Sequence, residues 1–199
     1  MQQFLKLSEA IDALNTRIGS FVKWFIFAAV LVSTGNALIR KIFNVSSNAW
    51  LELQWYLFGG VFMLGAAYTL LKNEHIRIDV VTGNFSKRVR DGIDVFGHIF
   101  FLLPFAGIMT YLSWPFFLRS FQLNEQSNNA GGLIVWPAKV LLVIGFALLF
   151  AQGVSELIKR IAIMRGELED VNAAMGHHAA AEAEAERLLA QVEDLPKRP

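Results

Sequence analysis

Four long apolar runs constrain this chain more than any other feature. They span residues 20–39, 50–71, 95–118 and 136–158, each about 20 residues or more. At 1.5 Å per residue a helix of that length crosses a hydrocarbon core of about 30 Å. Charge is thinned out of these runs and gathered between them and in the tail. Only 18% of the 199 residues are charged and 54% are hydrophobic, against about 25% charged in soluble domains. The fold class that follows is an all-α integral membrane protein with four transmembrane helices. Trp24, Trp50, Trp55, Trp114 and Trp136 fall near the ends of these runs, as an interfacial aromatic belt requires. Lys23 lies near the start of the first run, within snorkelling reach of headgroups on this reading.

The flanks differ from the runs. Residues 1–17 lack the apolar core of a secretory signal. Phe4, Leu7, Ile11, Leu14 and Ile18 recur instead at helical spacing, with Lys6, Glu9 and Asp12 at other positions. Residues 1–18 are therefore expected to form an amphipathic helix lying on the membrane surface. Residues 19–165 form the membrane domain. Residues 166–199 are rich in Ala and Glu and read as an acidic cytoplasmic tail, helical or disordered. His177 and His178 in that tail read as solvated.

Basic residues set the expected orientation. Lys72, Arg77, Lys87, Arg88 and Arg90 lie between the second and third runs, and Lys159, Arg160 and Arg165 follow the fourth. The bias places both termini and the middle loop in the cytoplasm. A net charge of +1 gives no global basic field for nucleic acid, and the absence of cysteine excludes thiolate chemistry.

Few groups inside the runs offer chemistry. Pro104 is expected to kink the third span or release a carbonyl. Small residues at four-residue spacing mark two packing ridges, Ala29, Ser33 and Ala37 on the first span and Ala147, Ala151 and Ser155 on the fourth. Glu52 is the clearest anomaly, a carboxylate at the start of the second span. It reads as an N-terminal capping charge, a partner for Arg40 or Lys41, a docking residue or a proton-coupling group. If the segment after the second run is helical, His75 and Asp79 share a face at i,i+4; if it is extended, Ile76, Ile78 and Val80 share one face, and in either case it reads as a juxtamembrane anchor. A haem needs a second membrane histidine beside His98, and none is present. Gly131 and Gly132 permit a tight turn between the third and fourth spans.

Certain of these residues look familiar as a set. The stretch from Glu52 and Trp55 through Phe58 and Gly59, on through Gly65 to Tyr68 and to His75, Arg77 and Asp79, resembles the small permease subunit of TRAP transporters, the DctQ family. The His-x-Arg-x-Asp element is its most specific part. Gly131, Gly132 and Leu133 with Trp136, Pro137 and Lys139, and the segment from Gln152 to Lys159, resemble the four-helix branch of the 2-oxo-acid, lactate and mannitol type. The resemblance covers about residues 15–165.

It implies a bacterial inner-membrane scaffold subunit that is not an enzyme. Such a subunit pairs as a heterodimer with a large elevator-type permease subunit (DctM-like) and helps dock a periplasmic substrate-binding protein (DctP-like) that delivers an organic acid. It carries no cofactor, and sodium coupling is expected in the large subunit. Glu52, Trp55, His75, Arg77, Asp79, Gly131, Gly132, Trp136 and Lys139 are the interface or structural candidates. A self-sufficient small transporter using Glu52 for proton coupling is the competing reading.

Overall fold

A computed structural model describes residues 2–73, 85 and 87–168. It divides into two compact units, residues 1–161 and 162–199. Five α-helices account for most of the described chain. They are α1 (Gln2–Phe43), α2 (Asn48–Leu71), α3 (Lys87–Gly97), α4 (Leu103–Gln122) and α5 (Trp136–Met164). A π-helical turn, His98–Leu102, joins α3 to α4 into one rod. Four stretches, Gln2–Phe43, Asn48–Leu71, Arg88–Gln122 and Trp136–Met164, are long and apolar enough to cross a membrane. They contain the four expected spans.

Helix ends follow from a few residues. Asn44, Asn73 and Asn124 adopt positive φ just past α1, α2 and α4, a conformation asparagine tolerates and helix termini use. In the second unit, Gly166 at φ +74° closes α5. There the Glu167 N–H bonds the Ala162 carbonyl and the Gly166 N–H bonds the Ile163 carbonyl, both at 3.0 Å.

The first span differs most from its expectation. Nothing interrupts α1 between residues 18 and 20, so the amphipathic segment and the span are one helix of 42 residues. Its length of about 63 Å is twice the hydrocarbon thickness. Its inward face repeats every seven residues, through Ser8, Asn15, Val22 and Ala29, all buried. This face packs antiparallel against α2 and α5. The Tyr68 ring lies so close to Gly19 that a Cβ there would meet it at 2.3 Å, and Phe25 lies against Gly60 in the same way at 2.7 Å. Gly60 also faces Leu141, and Gly145 faces the Met63 backbone.

These contacts correct the placement of Lys23 and Trp24. Lys23 falls level with Met63 and Leu64, about 6 Å from the midpoint of α2, and with Val143 and Ile144, about 5 Å to the other side of the midpoint of the fourth span. Both residues are therefore at mid-depth of the bundle, not at its edge. Both are exposed.

Close helix approach falls on glycine more than on the expected ridges. Ala29 and Ser155 are buried, Ser33 and Ala151 are half-buried, and Ala37 and Ala147 are exposed. Gly19, Gly60 and Gly145 take the closest contacts because no Cβ fits there. Pro104 stands just after the π turn. The Leu103 N–H reaches back to the His98 carbonyl, five residues away. That wider turn absorbs the geometry a proline imposes on a helix. Pro115 lies inside α4 as a second proline of the same span.

Candidate functional site

Two polar constellations close the opposite ends of the bundle. The loop end carries the α1–α2 link and the α4–α5 connection. The terminal end carries the start of α1 and, on α5, the residues up to 161.

At the loop end, residues 123–135 fold back on themselves. The Val135 N–H bonds the Glu125 carbonyl at 2.9 Å and the Ser127 N–H bonds the Leu133 carbonyl at 3.0 Å. Gly131 at φ +69° and a Gly132 N–H bond to the Asn129 carbonyl form the tip. A regular hairpin would return the Leu133 N–H to its partner strand. Here it donates instead to Glu52 Oε2 at 2.6 Å. Asn129 Nδ2 donates to Glu52 Oε1 at 2.8 Å, and the Ser127 hydroxyl donates to the same oxygen. A Cβ on Gly132 would lie 2.8 Å from that carboxylate and 2.6 Å from Ser127 Cβ. Glu52 and the two glycines, distant in sequence, are thus parts of one carboxylate receptor. Asn48 and Tyr56, one turn to either side of Glu52, bond the Ala130 and Ile134 carbonyls. Glu52 therefore holds the α4–α5 loop. Its partners among the described residues are this loop's donors, not Arg40, Lys41 or its own helix terminus.

The neighbouring candidates are placed differently. Lys139 forms an ion pair with Glu125 and sits 4.0 Å from the centre of the Phe116 ring. The lysine holds the Glu125 carboxyl below the usual glutamate range. Trp136 packs edge-on against Phe121 at 5.3 Å and against Phe117 at 6.4 Å, tying α5 to α4. Trp55 points outward, 72% exposed. His75, Arg77, Asp79, His177 and His178 lie outside the described residues.

Of the terminal-end network, the candidates read from sequence include Ser155 alone, as a packing residue. Gln152 is fully buried. Its carbonyl accepts from Asn15 Nδ2 at 2.7 Å, and its Nε2 donates to Asp12 and Glu156 at 2.9 Å each. Ser155 Oγ lies 2.7 Å from both Ser8 Oγ and Asp12 Oδ1. Lys159 bridges Asp12, at 3.0 Å, and Glu156. One turn further, Arg160 reaches Asp91 at 3.1 Å and Asp94 at 2.9 Å, binding α3 to α5. The sequence signal is present in retrospect. Ser8, Asp12 and Asn15 share one face of α1, and Gln152, Ser155, Glu156 and Lys159 share one face of α5. His98, at the head of the π turn, bonds the Asp94 carbonyl through Nδ1 at 2.7 Å, a structural role.

The arrangement can fix helix register and hold a loop. Most of its polar groups are bonded inside the chain, while Asn15 Oδ1 and His98 Nε2 are buried without a partner among the described residues. Residues 29–162 match the model for the DctQ component of tripartite ATP-independent periplasmic transporters. No curated protein and no solved structure matches the chain. The match covers about two thirds of the chain and includes α2 with Glu52, the α4–α5 loop and most of α5, so the chain belongs to the DctQ family of TRAP transporter membrane components.

Proposed function

We propose that this chain is the fixed scaffold subunit of a sodium-driven, binding-protein-dependent importer of an organic acid. As a DctQ member it is a transporter component that works with DctM and DctP components. On this reading the DctM partner is the larger membrane subunit. It forms a heterodimer with this chain and contains the sodium sites, the substrate path and the moving elevator. The DctP partner is a periplasmic protein that docks partly on the α4–α5 loop. The membrane is the bacterial inner membrane, with both termini cytoplasmic. The substrate type is that of the 2-oxo-acid, lactate or mannitol branch.

One observation carries the scaffold reading. The polar clusters at the two ends of the described bundle cross-link different elements. Gln152 alone joins three residues of two helices. A rigid support needs such cross-links, whereas a substrate path needs polar groups free to exchange partners. Proton coupling by Glu52 is disfavoured because its carboxylate accepts from three loop donors near the end of the bundle.

Co-expression tests the assignment. A tag on this chain should recover a larger membrane protein encoded beside it at a one-to-one ratio in mild detergent. Recovery of this chain alone, fully folded, would overturn the heterodimer.

A further inference from the structure

We infer that Lys23 marks the face of α1 that meets the large subunit, and that its ammonium pairs there with a carboxylate on a transmembrane helix of that partner. The inference deepens the scaffold reading and rests on it.

Lys23 is level with the middle of both α2 and the fourth span, and its side chain is exposed. Among the described residues it has no hydrogen bond or ion pair. The other lysines and arginines at helix packing surfaces do have partners. Lys139 has Glu125, Lys159 has Asp12 and Glu156, and Arg160 has Asp91 and Asp94. A lysine stem reaches roughly 6 Å, and half the hydrocarbon thickness is about 15 Å. Snorkelling alone therefore leaves the ammonium short of the headgroups. A bare charge at that depth costs a few kcal/mol or more, and such residues face protein or a cavity.

The surrounding face fits a protein neighbour. Thr16, Ser20, Lys23, Phe27, Val30 and Thr34 follow one another at helical spacing along α1, and all are exposed. Its three hydroxyls suit interhelical contact better than lipid.

A second copy of this chain is a poor occupant. In residues 1–161, the carboxylates of Asp12, Glu52, Asp91, Asp94, Glu125 and Glu156 are bonded within the chain. Glu9 lies about 21 Å along α1 from Lys23. Among the described residues of a second copy, no free carboxylate comes from that depth. The family's other membrane component is the neighbour that can supply one.

Two measurements test this on the co-expressed complex. Lys23→Gln should lower the large subunit retained after detergent washing by about 30-fold or more, and Lys23→Arg should retain it. The Lys23→Gln chain by itself should keep wild-type helix content and melting temperature. Full retention of the large subunit by Lys23→Gln overturns the inference and leaves the scaffold reading intact. Failure of the wild-type chain to retain it overturns the scaffold reading itself.

The second measurement leaves Lys23 in place. The chain has no cysteine, so Ser20→Cys can carry a single benzophenone label. Photolysis in membranes should join it to the large subunit. Products containing only a second copy of this chain, or only lipid, overturn the inference.

Discussion

The two ends of the bundle are each closed by carboxylates, but against different partners. At the loop end, Glu52 takes donors from one short loop, including a backbone N–H. At the terminal end, Asp12 and Glu156 share Lys159 and Gln152, binding α1 to α5 across more than 130 residues of sequence. The first arrangement holds a conformation, because Gly132 must lack a Cβ for the loop to reach Glu52. The second holds a register, because side chains a turn apart on two helices must coincide. A scaffold needs both, a loop of fixed shape for a soluble partner and helices that do not slide.

The comparison breaks most readily at Gln152. Single interhelical hydrogen bonds in membranes average about 0.6 kcal/mol. Gln152→Ala removes several at once and leaves Asn15 and Asp12 short of partners in a buried site, so about 3 kcal/mol of stability should be lost. Thermal unfolding in detergent measures this, and an unchanged midpoint would mean the network is ornamental. Arg160→Met should cost somewhat less, about 2 kcal/mol. It leaves Asp91, only 7% accessible, without its arginine. Loosening should be confined to α3, read as faster hydrogen exchange there with α2 unaffected.

Glu52→Gln sharpens the loop end. It keeps the shape but turns one acceptor oxygen into a donor facing other donors. The Leu133 amide should exchange at least tenfold faster, while the α1–α5 network keeps its protection. Equal change at both ends would show that they are not independent.

The smallest effect belongs to Lys139→Met, because Glu125 is 42% exposed and solvent screens the pair. The sign with pH follows from the lowered Glu125 pKa. Its contribution is complete above the unfolded value of about 4.3 and is lost as pH falls through the lower folded value. Trp136 fluorescence should therefore stay constant from neutral pH to about pH 5 and change only in stronger acid. Lys139→Met should remove that change.

Much of the frame was legible in the sequence because lipid demands long apolar runs. All four spans were readable, as was the family, from the residues between Glu52 and Tyr68 and the His75, Arg77 and Asp79 element. The depth of Lys23 was not. Locating the span start at Ser20 treated α1 as two elements, and only Gly19 against Tyr68 and Phe25 against Gly60 show where the helix sits. Glu52 was recognised as an anomaly, but its partners are about 80 residues away, and periodicity does not report tertiary pairing. The Asp12–Gln152 network was hidden because its α1 residues read as the wet side of an interfacial helix. The residues of that wet face that meet α5 are dry. Pro104 announced a disturbance, and the π turn before it takes it up.

The central claim, that this chain supports transport without carrying it, is tested most directly in proteoliposomes. With a sodium gradient and a panel of radiolabelled organic acids, vesicles containing this chain, the large subunit and the binding protein should accumulate one class of substrate. Vesicles with this chain alone should show no uptake above empty liposomes. Gradient-driven uptake by this chain alone, abolished by Glu52→Gln, would contradict the account.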